Sequence, residues 1–115
     1  MFASITSRTL SIVALCVAAA LPLSVAEAQQ ATEIAVTYDG QFQPTELRAP
    51  AGKPIVVKVK NNSTKAMEFE SKTLKAEKVI PAKGEAVINI RAQKAGRYEF
   101  FDEFNEKARG VLIIE

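Results

Sequence analysis

The feature that most constrains this chain is a period of two in its apolar residues. Ile34, Val36 and Tyr38 alternate with Ala35 and Thr37, and Ile55, Val57 and Val59 alternate with Val56, Lys58 and Lys60. Ala86, Ile88 and Ile90 alternate with Val87, Asn89 and Arg91, and Tyr98 and Phe100 with Arg97 and Glu99. Successive side chains on a strand point to opposite faces, so this is the pattern of strands with one covered face. Val111 to Ile114 is apolar without interruption, as in a strand covered on both sides. Turn-forming residues separate the runs: Asp39-Gly40, Pro50-Ala51-Gly52, Asn61-Asn62, Pro81 to Gly84, Ala95-Gly96 and Gly110. No long amphipathic helix fits between them. Residues 72–78 (KTLKAEK) read as one helical turn or a strand edge. The expectation is one all-β domain, an antiparallel Greek-key β-sandwich of about seven or eight strands.

Residues 1–28 read as an address rather than part of that fold. Arg8 supplies a positive start, Leu10 to Leu23 is almost continuously apolar, and Ala26 and Ala28 are spaced for an A-x-A cleavage site. This is the pattern of a secretory signal peptide, with cleavage expected before Gln29. The apolar run is shorter than the roughly 20 residues a spanning helix needs. Leu15 before Cys16 departs from the small residue that a lipoprotein site wants. Residues 29–115 are therefore expected to be a single exported, periplasmic domain, with no membrane insertion after cleavage.

What is missing narrows the chemistry. The sequence has no His and no Trp, and its one Cys is Cys16 in the leader. No Ser-His-Asp triad, Cys-His dyad, His-based zinc site or disulfide framework can be assembled from residues 29–115. A small exported domain without disulfides must rely on its apolar core. Lys72, Lys75, Lys78 and Lys83 are interleaved with Glu70, Glu77 and Glu85, with no aromatic stacking platform among them, and the formal charge is only +2. That is a solvated mixed-charge face, and no nucleic-acid partner is expected.

The order of strands and turns resembles the cupredoxin fold. One signature is the run FQPTELRAPAGKPIVVKVKNNS, in which Phe42-x-Pro44 leads a short strand and an apolar strand ends at Asn61-Asn62. A second is GRYEFFDEF followed by GVLIIE, the closing hairpin where cupredoxins carry most of their metal ligands. The resemblance places Met67, Asp102, Asn105 and about Ala108 where a blue-copper protein has its first His, Cys, second His and axial Met. A blue site needs imidazole and thiolate, so it is not expected here. Within the superfamily, Asn61, Ser63, Lys65, Ala66, Met67, Glu68, Phe69 and Glu70 match a motif N-x-S-x-K-A-[LM]-E-[aromatic]-E. That motif is similar to the cupredoxin-like domain of periplasmic iron-uptake proteins of the EfeO type. Better-known relatives have a Cys in the early loop and another opening the last loop, where this chain has Phe42 and Asp102. The resemblance implies a periplasmic domain that binds copper or iron and works with an iron permease or other uptake components.

The residues themselves suggest where an ion would sit. On a strand, Glu68 and Glu70 share one face about 7 Å apart, while Met67 and Phe69 share the other. Asp102 and Glu103 open the last loop and Glu106 follows. In the cupredoxin topology these stretches meet at one end, so Glu68, Glu70, Asp102, Met67, Glu103 and Glu106 are the candidate metal ligands, with Glu77 more distant. Carboxylates favour iron or manganese, and a Met67 thioether favours copper(I). The plain alternative is that alternating glutamates mark any solvent-facing strand, with Lys65, Lys72 and Lys107 as their counter-charges. Two other functions stay open: a metal-free interaction module and a copper carrier. No enzyme is assigned, because oxidation of ferrous iron would need bound copper or a partner to accept the electron.

Overall fold

The structure is a computed structural model that describes residues 30–115. The expected signal peptide, residues 1–28, lies outside the described residues. Nine strands form the fold: β1 Thr32–Tyr38, β2 Phe42–Gln43, β3 Glu46–Ala49, β4 Ile55–Asn61, β5 Met67–Ser71, β6 Ala76–Ile80, β7 Glu85–Ile90, β8 Gly96–Asp102 and β9 Asn105–Ile114. They make two sheets, ordered β2-β1-β4-β7 and β3-β9-β8-β5-β6. The all-β sandwich expected from the alternation is therefore present.

Two details differ from the expectation. The extra strand is β2, two residues long and too short to show a periodicity. The sheets are mixed rather than antiparallel, since β1 pairs with β4 and β3 with β9 in parallel. After β1 the chain adds β2, crosses to the other sheet as β3, and returns as β4 on the far side of β1. Local alternation sets which face of a strand is covered but not which neighbour it takes. Residues 72–75 form a turn, and Ala76 begins β6, so the KTLKAEK segment is a turn followed by an edge strand.

The core is the inward half of each alternation. Val36, Ile55, Val57, Val59, Ile88 and Ile90 come from one sheet, and Leu47, Met67, Phe69, Phe100, Leu112 and Ile114 from the other. Phe42 stands between the sheets, 1% exposed, edge-on to Phe100 at 4.9 Å and to Phe69 at 6.2 Å. Phe69 and Phe100 stack at 5.1 Å. Such packed pairs stabilise beyond their buried area. Phe100 also explains a glycine: opposite it on β9, a Cβ on Gly110 would come within 2.2 Å of the Phe100 ring and 2.9 Å of the Thr45 carbonyl. Gly110→Ala is expected to cost about 2 kcal/mol by overpacking, read as a lower urea midpoint at unchanged slope.

Candidate metal centre

Asn61 builds the tip of the sandwich where β4 ends. Its side chain is fully buried, and its amide nitrogen donates to the carbonyls of Lys65, Ile80 and Pro81 at 2.8, 3.1 and 3.1 Å. Its Oδ1 accepts from the Ser63 N–H and hydroxyl at 3.0 and 2.7 Å. The Asn and Ser of the sequence motif thus tie the turn over residues 62–66 to the end of β6. Buried amides satisfied in this way fix a loop. The turn delivers the chain into β5 with a defined register, Met67 opposite Ile80 and Glu70 opposite Glu77.

That register sorts the candidate ligands. Met67 points inward and is completely buried in the apolar core. Asp102, paired with Phe69 across β5 and β8, is also turned inward and is 2% exposed. Its Oδ1 accepts the Glu68 N–H at 2.9 Å and the Phe104 N–H at 3.0 Å, and its Oδ2 accepts the Tyr38 hydroxyl. Tyr38 belongs to the opposite sheet, so this hydrogen bond staples the two sheets at the tip. Burial, then the hydrogen bond to Asp102, pushes the Tyr38 phenol up to about 12. Tyr38 and Asp102 line a cavity of about 620 Å³ that opens at the tip beside Lys65, Lys83 and Asn105.

Glu68 and Glu70 lie on the outer face of the same sheet. The structure gathers them there with Glu77 of β6 and Glu103 of the β8–β9 turn. Glu68 stands beside the Glu77 carboxyl, and Glu70 beside that of Glu103. Glu68 is only 8% exposed. The hydrogen bond to Glu77, burial, and the charges of Glu77, Glu103 and Glu70 push its carboxyl up to about 7. The hydrogen bond to Glu103, burial, and the Glu103 and Glu77 charges raise Glu70, against an opposing pull from Lys72. Among the described residues, no three His, Cys, Asp or Glu side chains already surround a common point. The four glutamates stand as two neighbouring pairs, Glu68 with Glu77 and Glu70 with Glu103.

Glu106 is elsewhere on that outer face. It lines a groove with Glu99, Phe101, Lys72 and Arg109, where Lys72 and Arg109 lie over the Phe101 ring at 5.9 and 5.2 Å. The six residues proposed from the sequence therefore divide four ways: Glu68, Glu70 and Glu103 together, Asp102 at the tip, Met67 in the core, and Glu106 beside the cations. Two participants escaped the sequence reading. Glu77, only a more distant candidate from the sequence, is brought close because a tight turn returns β6 against β5. Tyr38 looked like a core aromatic of β1, and no local signal marked its hydroxyl.

Comparison with known proteins agrees with this architecture. The family described as "Cupredoxin-like domain" matches residues 9–114. The chain is 30% identical over 84 residues to the uncharacterized protein RP394 of Rickettsia prowazekii (strain Madrid E), covering 71% of this chain and 67% of that one. It is similar in structure to the metal binding domain of the Cu(I)-exporting P-type ATPase CopA of Streptococcus pneumoniae D39. That likeness has a TM-score of 0.65 at 19% identity and covers 72% of this chain and 84% of that one. Auracyanin A, a "blue" copper protein of Chloroflexus aurantiacus, gives a TM-score of 0.65 at 15% identity over 75% and 100% of the two chains.

Proposed function

For a chain that belongs to the cupredoxin-like domain family, we propose a periplasmic metal-binding role, with a hard or borderline cation held on the outer carboxylate face. Glu68, Glu70, Glu77 and Glu103 are the ligands, and iron is the ion that the sequence motif favours. The observation that carries this reading is Glu68. It is nine-tenths buried, and the charges that bear on it are the carboxyl groups of Glu77, Glu103 and Glu70. Such an arrangement is costly without a compensating charge. A divalent or trivalent ion would supply that charge and draw the two pairs around itself.

Copper binding by structural neighbours supports a metal role in general terms, but the donors of this chain point to a different ion. Residues 29–115 supply neither imidazole nor thiolate, so a blue-copper centre does not fit. The Met67 thioether is turned into the core, which removes the soft donor that a copper(I) carrier would use. Oxygen donors fit iron or manganese. The exported location and the service to an iron permease rest on the leader pattern and on the motif from Asn61 to Glu70.

Titration of residues 29–115 with Mn(II) and Fe(II) under anaerobic conditions tests the reading. Wild type is expected to bind one ion, and Glu68→Gln and Glu70→Gln are each expected to weaken it about tenfold or more. No binding, or undiminished binding in both variants, defeats the outer-face site and leaves a metal-free interaction module.

A further inference from the structure

We propose that the chain forms a symmetric dimer through the outer edge of β7, which joins the four-stranded sheets of two copies into one continuous sheet. The inference does not depend on the metal reading, because β7 and the glutamates belong to different sheets.

The edges of the two sheets are unequally defended. An unpaired strand edge invites another strand, and proteins protect such edges with charges, proline or very short strands. Among the described residues the edge strands are β2 and β7 in one sheet and β3 and β6 in the other. β2 is two residues long and is followed at once by Pro44. β3 carries Glu46 and Arg48, and Arg48 is already engaged with Glu46 at 3.4 Å and Glu115 at 3.0 Å. β6 carries Glu77 and Lys78 at its middle, so a second β6 centred on either would meet its own charge. β7 (EAVINI) is the longest of the four, with no Pro, no Gly and a single charge at its first position. Its middle stands open: Val87, Ile88 and Asn89 line a hollow of about 270 Å³ shared with residues 75–78, and Val87 is 51% exposed.

Charge identifies a second copy of the same strand as the occupant. Opposed residues of an antiparallel pair share a face, so the two-fold axis must pass through a residue that meets its own copy. With the axis at Ile88, Val87 faces Asn89 of the second copy, Ala86 faces Ile90, and Glu85 faces Arg91. The faces match, since Glu85, Val87 and Asn89 are exposed while Ala86, Ile88 and Ile90 turn to the core. Glu85 and Arg91 are both exposed and of opposite sign, and symmetry makes their contact twice. Among the described residues Arg91 has no ion-pair partner, and Glu85 has only Lys60 at 3.6 Å. Moving the axis to Val87 sets Lys83 against Arg91, a like-charge contact, and moving it to Asn89 leaves Glu85 opposite Gln93. The Glu85–Arg91 register therefore selects one closed pair rather than an open run of strands. An axis perpendicular to the joined sheet puts both five-stranded sheets on its same side. The two glutamate faces then look the same way and stay uncovered.

Sedimentation of residues 29–115 over a concentration series tests the dimer without metal. Wild type is expected to associate reversibly, with half the chains paired below about 100 μM. Glu85→Arg and Arg91→Glu each set like charges opposite one another, and each is expected to weaken association about tenfold or more. An equimolar mixture of these two single variants should restore it, because both contacts across the mixed pair again join opposite charges. The double variant Glu85→Arg/Arg91→Glu should also pair as wild type does. Both positions are exposed, so unchanged melting temperatures are expected and separate lost pairing from lost folding. Val79→Lys, on the neighbouring edge β6, should leave association unchanged. A wild type that stays monomeric at about 1 mM, single variants that pair as well as wild type, or a mixture that stays monomeric overturns the proposal. Loss of the dimer in Val79→Lys overturns it as well and moves the contact to β6.

Discussion

Asp102→Ala is expected to destabilise the domain by about 3–9 kcal/mol, at about 1–3 kcal/mol for each of three hydrogen-bond donors stranded at the tip. The three donors are the Glu68 N–H, the Phe104 N–H and the Tyr38 hydroxyl. Each belongs to a different element, so the loss is felt in β5, in the β8–β9 turn and across to β1. Marginally stable domains have only about 5–15 kcal/mol in hand, so a large part of the population should unfold at moderate temperature. Asp102→Asn is the informative contrast. Its carbonyl oxygen still accepts both backbone N–H groups, and its amide can donate to the Tyr38 oxygen, so a loss of about 1 kcal/mol is expected. Urea denaturation of the three proteins measures this. Equal midpoints for wild type and Asp102→Ala would remove Asp102 from its place as the hub of the tip.

The fold was legible in the sequence because its main determinant is local. Alternation marks strands, Asn61 and the glycine turns mark their ends, and the inward residues of each run are the core that the structure shows. Strand neighbours were less legible. The parallel pairing of β1 with β4 follows from a crossover through the other sheet, and no residue in either strand announces it. The candidate ligands show the same division. That Glu68 and Glu70 share a face was readable from period two. That Asp102 faces the other way was not, because it depends on the β5–β8 register and on the irregularity between Phe101 and Asp102. Spacing along a strand predicts sidedness within that strand, but sidedness between strands needs the register. Tyr38 was invisible for a related reason: its ring belongs to the core and only its hydroxyl reaches the carboxylate of a residue 64 positions away.

The outer face gives the second large expectation, a reversal of the usual pH dependence. The Glu68 carboxyl is raised from 4.5 to about 7 in the folded domain. Between those two values the unfolded chain has released its proton while the folded domain still holds it. Stability contributed by this group is therefore fully present below about pH 4.5 and declines as pH rises, with the loss complete above about pH 7. Many proteins lose stability as their paired carboxylates are protonated, whereas this face loses it as they ionise. The raised Glu70 acts in the same direction. Glu68→Gln carries a permanently neutral amide in place of the protonated acid, so its melting temperature should exceed that of wild type at pH 8 and match it more closely at pH 5. A cation on the face supplies the missing positive charge. Manganese(II) added at pH 8 should therefore raise the melting temperature of wild type toward its pH 5 value by mass action and leave Glu68→Gln nearly unmoved. A wild-type protein that is more stable at pH 8 than at pH 5 without metal, with Glu68→Gln following the same curve, would mean that the neighbouring carboxyls do not hold Glu68 protonated. The physical reason for placing an ion among them would then be gone.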